Sequence, residues 1–374
     1  MNLDEIRVEI DSIDNQIVEL LCKRMDMSKK VAEYKIKVGK KVFDGAREKA
    51  VLDKVDALGG EYGRATRLIY DTIMEQSRAL QYPLVGGSLN LKSEPLDPDK
   101  VKKIACQGVE GAYSANAGAK LYKNAEIIYC ATFADVCDAV EKGEAELGIL
   151  PVENSWAGSV HEVYDLIIER KFHIAAAADA YISHNLIGQK DAEIGDIKQV
   201  LSHEQALRQC GEFLKSNGIE PVGCPNTAVG VKKAADSKDK AVGAIGSAWA
   251  AEKFGMKIIE AGIATASRNV TRFVAISNRF YIDENAEKVS IVFSLPHKPG
   301  ALYSVFARFT AAGLNMSKIE SRPIKNMNFE YLFYVDLIGN LKSRETQSIV
   351  SSLSEELSEF TLLGNYEEKE IKID

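Results

Sequence analysis

Along the first eighty residues the apolar positions fall three and four apart. Leu3, Ile6, Ile10, Ile13, Ile17, Leu20, Leu21 and Met25 form one stripe, and no Gly or Pro interrupts before Gly39. That period predicts a long amphipathic helix. A second helix is expected from near Asp44, and a third over about 65–81, between the Gly59-Gly60 break and Pro83. Residues 83–100, PLVGGSLNLKSEPLDPDK, are rich in Gly, Pro and Ser and read as a linker. From Val101 short apolar runs alternate with helical stretches: KKIACQG, AEIIYCA, AELGILPVEN, HIAAAADAYI, KQVLSH, AVGAIGS and KIIEAGIA. This is the pattern of an α/β region with a mainly parallel sheet. AELGILPVENSWAG and KAVGAIGSAWAA each set a buried strand before a small-residue helix start, which predicts two similar lobes. After Asn278 a polar stretch leads to 289–295, a helix from Gly300, then 314–321, 329–338, 344–357 and 361–366, in the order β-α-β-β-α-β. The expected division is 1–85, all α; 86–100, linker; 101–280, α/β; and 286–374, α+β.

Composition narrows the functional classes. A chain of 374 residues is too long for one core, which agrees with two or three domains. Apolar content of 46% and charged content of 27% are ordinary for a globular protein. The net charge is -7 without any basic block, so no nucleic-acid partner is expected. No apolar run reaches the ~18 residues of a membrane span, and the N-terminal stretch is an amphipathic helix rather than a signal peptide. No membrane partner is therefore expected, and the cytoplasm is the expected compartment. Cys22, Cys106, Cys130, Cys137, Cys210 and Cys224 form no CxxC pair and read as reduced thiols filling core space. The five histidines show no HxxH or HExxH spacing, so no metal is expected. Gly108-x-x-Gly111 lacks the full GxGxxG, so no dinucleotide cofactor is expected either.

The helical segment carries cations in a pattern. Arg24 and Lys35 are eleven residues apart, about three turns, and so share a face. At ~1.5 Å per residue they stand roughly 16 Å apart, within the joint reach of two long side chains. Arg7 is roughly 26 Å from Arg24 by the same rise and cannot serve the same small ligand from the same helix. If all three bind one dianion, Arg7 comes from a second copy of the chain. Ser77 and Gln81, four apart, share one face of the third helix. Taken singly, these are the charges of a solvated helix face. The spacing is similar, however, to the all-helical chorismate mutase domain often fused to prephenate dehydratase. The matching features are Arg7 in an IR-x-x-I context, Arg24, Lys35, Asp44-x-x-Arg47-Glu48, Ser77 and Gln81.

The resemblance implies the rearrangement of chorismate to prephenate. That reaction is pericyclic and needs no acid, base or nucleophile. It needs guanidiniums that clamp carboxylates and donors to the breaking ether bond. By the family pattern Arg24, with Arg7 of a partner chain, holds carboxylates. Lys35 and Gln81 address the ether oxygen. Asp44 and Glu48 hold the hydroxyl side, and Arg47 and Ser77 add contacts.

In the α/β region Pro151-Val152-Glu153-Asn154-Ser155 ends a buried strand, where open α/β sheets bind ligands. Ser159 reads as an N-cap for a helix through Ile168. Ser202-His203-Glu204-Gln205 ends another strand, with Gln209 on the helix after it, and His203 reads as a cap of that helix. Thr271-Arg272-Phe273 is taken to follow a strand and a Ser-Arg-Asn loop. In order and spacing, GVEGAYS (108–114), PVENSWAGSVHEVYDL (151–166), SHEQALRQC (202–210) and TRF (271–273) resemble the prephenate dehydratase catalytic domain. That domain has a two-lobed, periplasmic-binding-like α/β fold. The implied reaction is loss of carbon dioxide and hydroxide from prephenate to give phenylpyruvate. Thr271 is the expected proton donor to the leaving hydroxyl. Asn154, Ser155, Ser202, Gln205 and Gln209 are expected polar positioners, Arg272 a carboxylate or supporting partner, and Phe273 a wall for the ring.

Residues 299–323, PGALYSVFARFTAAGLNMSKIESRP, put a Gly-Ala-Leu helix start twenty residues before Glu-Ser-Arg-Pro. This resembles the ferredoxin-like, phenylalanine-responsive ACT domain of prephenate dehydratases, with Tyr303 as a variation in the fourth place of the first motif. The resemblance implies phenylalanine bound between two such domains. Gly300, Ala301 and Leu302 would meet it at the helix start. Asn315 is placed near the same pocket, and Glu320, Ser321 and Arg322 transmit binding. The expected ligands are chorismate, prephenate and L-phenylalanine, and the expected assembly is a homodimer or tetramer. Two other readings are a sensor that has lost catalysis and a dehydratase whose helices only dimerise. Intact Arg24, Lys35, Asn154 and Thr271 weigh against the first.

Overall fold

The computed structural model describes residues 2–85, 93–265, 269–297, 299–324, 331–357 and 359–373. The chain starts with α1 (Leu3–Val38), α2 (Gly45–Gly59) and α3 (Gly63–Val85). Asn2 and Glu5 form a reciprocal capping box at the start of α1, and Gly39 closes it at φ 65°. Pro83 was expected to stop the third helix, yet α3 runs to Val85. A proline in the last turn forfeits little of the ladder. Residues 86–92 of the expected linker lie outside the described residues.

The α/β region comprises β1 (Lys103–Gln107), α4 (Tyr113–Leu121), β2 (Glu126–Cys130), α5 (Phe133–Glu141), β3 (Leu147–Asn154), β4 (Gly158–Ser159), α6 (His161–Glu169) and β5 (His173–Ile182). It continues with β6 (Asn185–Gly188), β7 (Gln199–Ser202), α7 (Glu204–Gln209), α8 (Gly211–Ser216), β8 (Glu220–Gly223), α9 (Thr227–Ser237), β9 (Val242–Gly246), α10 (Ala248–Lys253), β10 (Lys257–Glu260) and β11 (Val270–Ser277). The last part is β12 (Lys288–Leu295), α11 (Ala301–Ala311), β13 (Asn315–Pro323), β14 (Tyr331–Ile338), α12 (Arg344–Glu356), β15 (Phe360–Tyr366) and β16 (Glu368–Ile373).

These elements group into two compact units, residues 1–91 with 289–362 and residues 92–288 with 363–374. In the first, α3 packs against α1, α2, α11 and α12. Its sheet runs β13-β14-β12-β15. Within α1 only Ser28 and Ala32 are buried, while Ile10, Ile13 and Ile17 are 49%, 50% and 55% exposed. The apolar stripe that shaped the helix is therefore uncovered over its first half. That is untypical of a finished surface.

The second unit has two sheets, as the two-lobe pattern predicted. One runs β16-β5-β11-β3-β1-β2, the other β10-β6-β9-β7-β8. Both are mixed rather than mainly parallel, because β11 lies antiparallel between β3 and β5, and β6 antiparallel between β9 and β10. The core of the first sheet includes Ile104, Leu147, Ile149 and Phe273, that of the second Leu186, Val200 and Ile245. Three further expectations need correction. Residues 368–373 were assigned to the C-terminal domain, but β16 pairs in parallel with β5. Thr271 comes after β10, as read, but it is itself in a strand, as the second residue of β11. Ser159 is not the N-cap of α6, because β4 pairs it with Glu153 and Val160 takes the cap position.

Candidate active sites

The three N-terminal helices gather one polar cluster. Arg24 Nη1 donates to Ser77 Oγ at 2.5 Å, and Lys35 Nζ donates to Gln81 Oε1 at 3.2 Å and to the Val42 carbonyl. Their anchors on α3 are four residues apart, about 6 Å of rise, whereas the two cations are roughly 16 Å apart along α1. The two side chains therefore lean toward one another. Burial lowers the pKa of Lys35, opposed by the charges of Asp44 and Glu48. Glu48 on α2 is ion-paired through Oε2 to Arg78. Asp44 caps α2 by accepting from Arg47 N at 3.0 Å, and both of their side chains lie on an exposed turn. Arg7 is exposed, 3.5 Å from Asp4, and a single chain does not bring it to the pocket. Arg24, Lys35, Glu48, Ser77 and Gln81 thus converge, Asp44 sits at their rim, and Arg7 and the Arg47 side chain stand apart. Arg78 went unread in the sequence, although it lies three residues before Gln81 on the same helix face.

The second site is a cavity of about 450 Å³ in the two-sheet unit. Strand register builds it. Thr271 lies opposite Asn154 across the β11–β3 ladder, and Asn154 Nδ2 donates to Thr271 Oγ1 at 2.9 Å. The same amide donates to Asn269 Oδ1 at 2.8 Å, and Asn154 Oδ1 accepts from the backbone N–H of Trp156 and Ala157, both at 3.0 Å, and from Gln205 Nε2 at 3.4 Å. Gln209 Oε1 accepts from Asn269 Nδ2 at 3.1 Å, so His184 Nε2, 2.7 Å away, must be the protonated ring nitrogen. His184 Nδ1 is then left to face Tyr113 Oη at 3.2 Å. Burial lowers the His184 pKa, with the Gln209 hydrogen bond opposing, and the ring stays neutral. Gln209 Nε2 is buried and has no hydrogen-bond partner among the described residues. Phe273, 3% exposed, lines the same cavity.

Three expected site residues do not line the cavity. Side chains alternate along a strand, so Arg272 points away from the face that carries Thr271 and Phe273. It lies opposite Glu153 and Asp179, with Nε 3.0 Å from Asp179 and 2.7 Å from Glu368 of β16. Ser202 is fully buried and donates to the Ile245 carbonyl at 2.8 Å, tying β7 to β9. Ser155 is exposed and clamps the start of β11, its Oγ accepting from Val270 N at 3.0 Å. His184, Asn269 and Tyr113 were missed. No periodic signal marks a lone polar residue at a strand end, and the Ser-Arg-Asn loop gave no sign that Asn269 turns inward.

The Gly300 turn has φ 81°, and among the described residues no heavy atom lies within 4 Å of where a Cβ would stand. Backbone conformation, not crowding, selects glycine there. Ala301 and Leu302 open α11, whereas Asn315 begins β13 beyond the far end of that helix. Eleven residues of helix, about 16 Å, lie between, so one chain does not place Asn315 near the Gly300 turn. On β13, Glu320 and Arg322 share a face and Ser321 takes the other; Glu320 is 3.7 Å from Lys318.

A cationic cluster on the helices and a cleft at strand ends without charged lining residues are the two candidate sites. Residues 6–82 match the chorismate mutase type II family, and residues 104–280 match the prephenate dehydratase family. A bifunctional chorismate mutase/prephenate dehydratase of Aquifex aeolicus (strain VF5) is 30% identical over 367 residues, 97% of each chain. The crystal structure of prephenate dehydratase in complex with L-Phe from Arthrobacter aurescens aligns with TM-score 0.64 at 25% identity, covering 71% of this chain and 89% of that one. The structure of GqqA, a quorum quenching acylase, aligns with TM-score 0.65 at 29% identity, covering 71% of this chain and 97% of that one. The chain belongs to the family of bifunctional chorismate mutase/prephenate dehydratases and carries both enzyme domains. Among the described residues no helix is long and apolar enough to cross a membrane.

Proposed function

We propose that the helical pocket rearranges chorismate to prephenate, that the cleft converts prephenate to phenylpyruvate, and that L-phenylalanine restrains the second step from the C-terminal domain. In the pocket Arg24 and Lys35 hold a folded dianion, with Lys35 and Gln81 directed at the ether oxygen as its bond breaks. Arg7 enters from a second copy. The uncovered stripe on α1 supports that pairing, because an unpacked helix of 36 residues needs a partner for its apolar face.

The observation that carries the dehydratase reading is the Asn154–Thr271 hydrogen bond. The amide N–H occupies a lone pair of Oγ1, so the hydroxyl proton is left to point elsewhere. Thr271 then gives that proton to the C4 hydroxyl as the C–O bond breaks. The C–C bond to the carboxylate also breaks, carbon dioxide leaves, and its electron pair enters the ring, which becomes aromatic. The Asn154 N–H stabilises charge developing on Oγ1 during transfer. Substrate charge is met by dipoles. The N-termini of α4 and α9 line the cavity through Tyr113 and Thr227, and the α4 cap residue Ala112 offers no side-chain acceptor to its first N–H groups. Arg272, Ser202 and Ser155 support the strands that carry these groups.

For control, the β-α-β-β-α-β order with sheet order β13-β14-β12-β15 supports an ACT-type domain. The separation of Gly300 from Asn315 supports a phenylalanine site shared by two copies. The test feeds the full chain chorismate, then prephenate, and follows both products with and without phenylalanine. Prephenate must appear and be consumed, and phenylalanine must slow phenylpyruvate formation. Chorismate left intact would exclude the mutase reading, and prephenate left intact the dehydratase reading.

A further inference from the structure

Arg78 on α3 is 6% exposed and is held on three sides. Its Nη1 pairs with Glu48 Oε2, and its Nε lies 3.2 Å from Glu356 Oε1 on α12. Its guanidinium carbon is 5.7 Å from the centre of the Phe43 ring. Glu356 is itself fixed. Tyr82 Oη donates to its Oε1 at 3.0 Å, and Arg308 Nη2 of α11 lies 2.6 Å from its Oε2. Residues of the regulatory-type domain therefore reach, through one arginine, a carboxylate of the helical pocket.

We infer that Arg78 is a positioning residue for the mutase reaction: anchored by Glu356 of α12, it holds the Glu48 carboxylate where it can accept from the substrate hydroxyl. This rests on the reading that Glu48 serves the mutase pocket. With Oε2 engaged by Arg78, Oε1 is the oxygen left for a ligand. The Glu48 and Arg78 charges also act in opposite senses on Lys35, the ammonium that must face the ether oxygen, so Arg78 offsets the pull of Glu48 on it. A guanidinium suits this task because its planar fork can bind two carboxylates in fixed directions; a lysine ammonium cannot hold both. The C-terminal domain thus completes the mutase site from behind.

The test uses full-length variants assayed well below their unfolding temperature, with dehydratase turnover on prephenate as the internal measure of folded chain. Arg78→Lys should lower mutase kcat/KM by about tenfold or more with dehydratase turnover unchanged. Glu356→Gln, which keeps the volume and the Tyr82 partner, should lower the same parameter by a smaller factor. Glu48→Gln should lower it at least as far as Arg78→Lys, and the double variant Glu48→Gln/Arg78→Lys should be no worse than Glu48→Gln, because Arg78 acts only through that carboxylate. Mutase kinetics within twofold of the parent in both Arg78→Lys and Glu356→Gln overturn the inference, as does full additivity in the double variant. If Glu48→Gln itself leaves the mutase unchanged, the assignment of Glu48 to the pocket fails instead, and this inference with it.

Discussion

Replacing Thr271 by valine removes one hydroxyl and keeps the side-chain volume. The structural cost follows from the partners of Asn154. Its Nδ2 carries two hydrogens and has Asn269 Oδ1 at 2.8 Å, the Val270 carbonyl at 3.3 Å and Thr271 Oγ1 at 2.9 Å within reach. With Oγ1 gone, two acceptors remain for two hydrogens, so no buried donor is orphaned and the loss is one ordinary hydrogen bond, about 1 kcal/mol. The ladder from β11 to β3 uses backbone groups and is untouched. The kinetic cost is larger. Loss of a positioned proton donor lowers turnover by about 10²–10⁴, or roughly 3–5 kcal/mol of barrier. The chemistry therefore outweighs the structure by enough to be read cleanly. Single-turnover formation of phenylpyruvate should fall by at least about a hundredfold, prephenate binding by calorimetry should change less than about threefold, and mutase turnover should not change. A loss confined to binding, or a turnover within tenfold of the parent, would show that Thr271 orients substrate and that another group gives the proton.

Burial lifts the Glu75 carboxyl from 4.5 to about 7, opposed by Arg308 and Arg78. The folded chain thus keeps a proton that the unfolded chain releases above about 4.5, and the associated stability is full below that pH and is lost as pH rises through 7, by up to roughly 3 kcal/mol. Glu75→Gln should flatten the fall in denaturation midpoint between pH 5 and 8; an unchanged slope rejects Glu75 as its source. Gly300→Val forces a branched residue to φ 81° and should abolish phenylalanine inhibition and binding together with prephenate turnover intact; a folded variant inhibited at the parental concentration places the site elsewhere. Arg7→Ala and Arg24→Ala chains should each lack mutase activity, and after subunit exchange the mixture should recover part of it. No recovery after verified exchange removes the shared-site geometry.

The N-terminal helical part of the chain was legible because its information is local. The stripe from Leu3 to Met25 and the Gly39 stop define α1 almost to the residue. The four-residue strands β7 and β10 lie in apolar runs that were legible, whereas NLIG of β6 and EPVG of β8 are interrupted by Asn, Gly or Pro and went unread. The sequence EKEIKI of β16 alternates weakly and finds its partner nearly two hundred residues earlier, a pairing that no local pattern encodes. The sites divide the same way. Asn154 and Thr271 stood out as motifs, but their contact depends on register between strands 117 residues apart. The sequence left Arg272 open between a substrate carboxylate and a supporting partner because its run was not read as a strand; once 270–277 is β11, alternation alone turns it from the cavity. Arg78 was passed over because a helix-face arginine is ordinary until its two carboxylates are located in space.

The most direct test of two separate sites on one chain is a double dissociation in the full-length protein. Arg24→Ala and Thr271→Val chains are each supplied with chorismate and, separately, with prephenate. Arg24→Ala should leave chorismate unconverted yet turn prephenate into phenylpyruvate at the parental rate. Thr271→Val should turn chorismate into prephenate at the parental rate and let it accumulate. Loss of both conversions in either chain, with its fold verified, would contradict the account and show that the two reactions share groups assigned to different units.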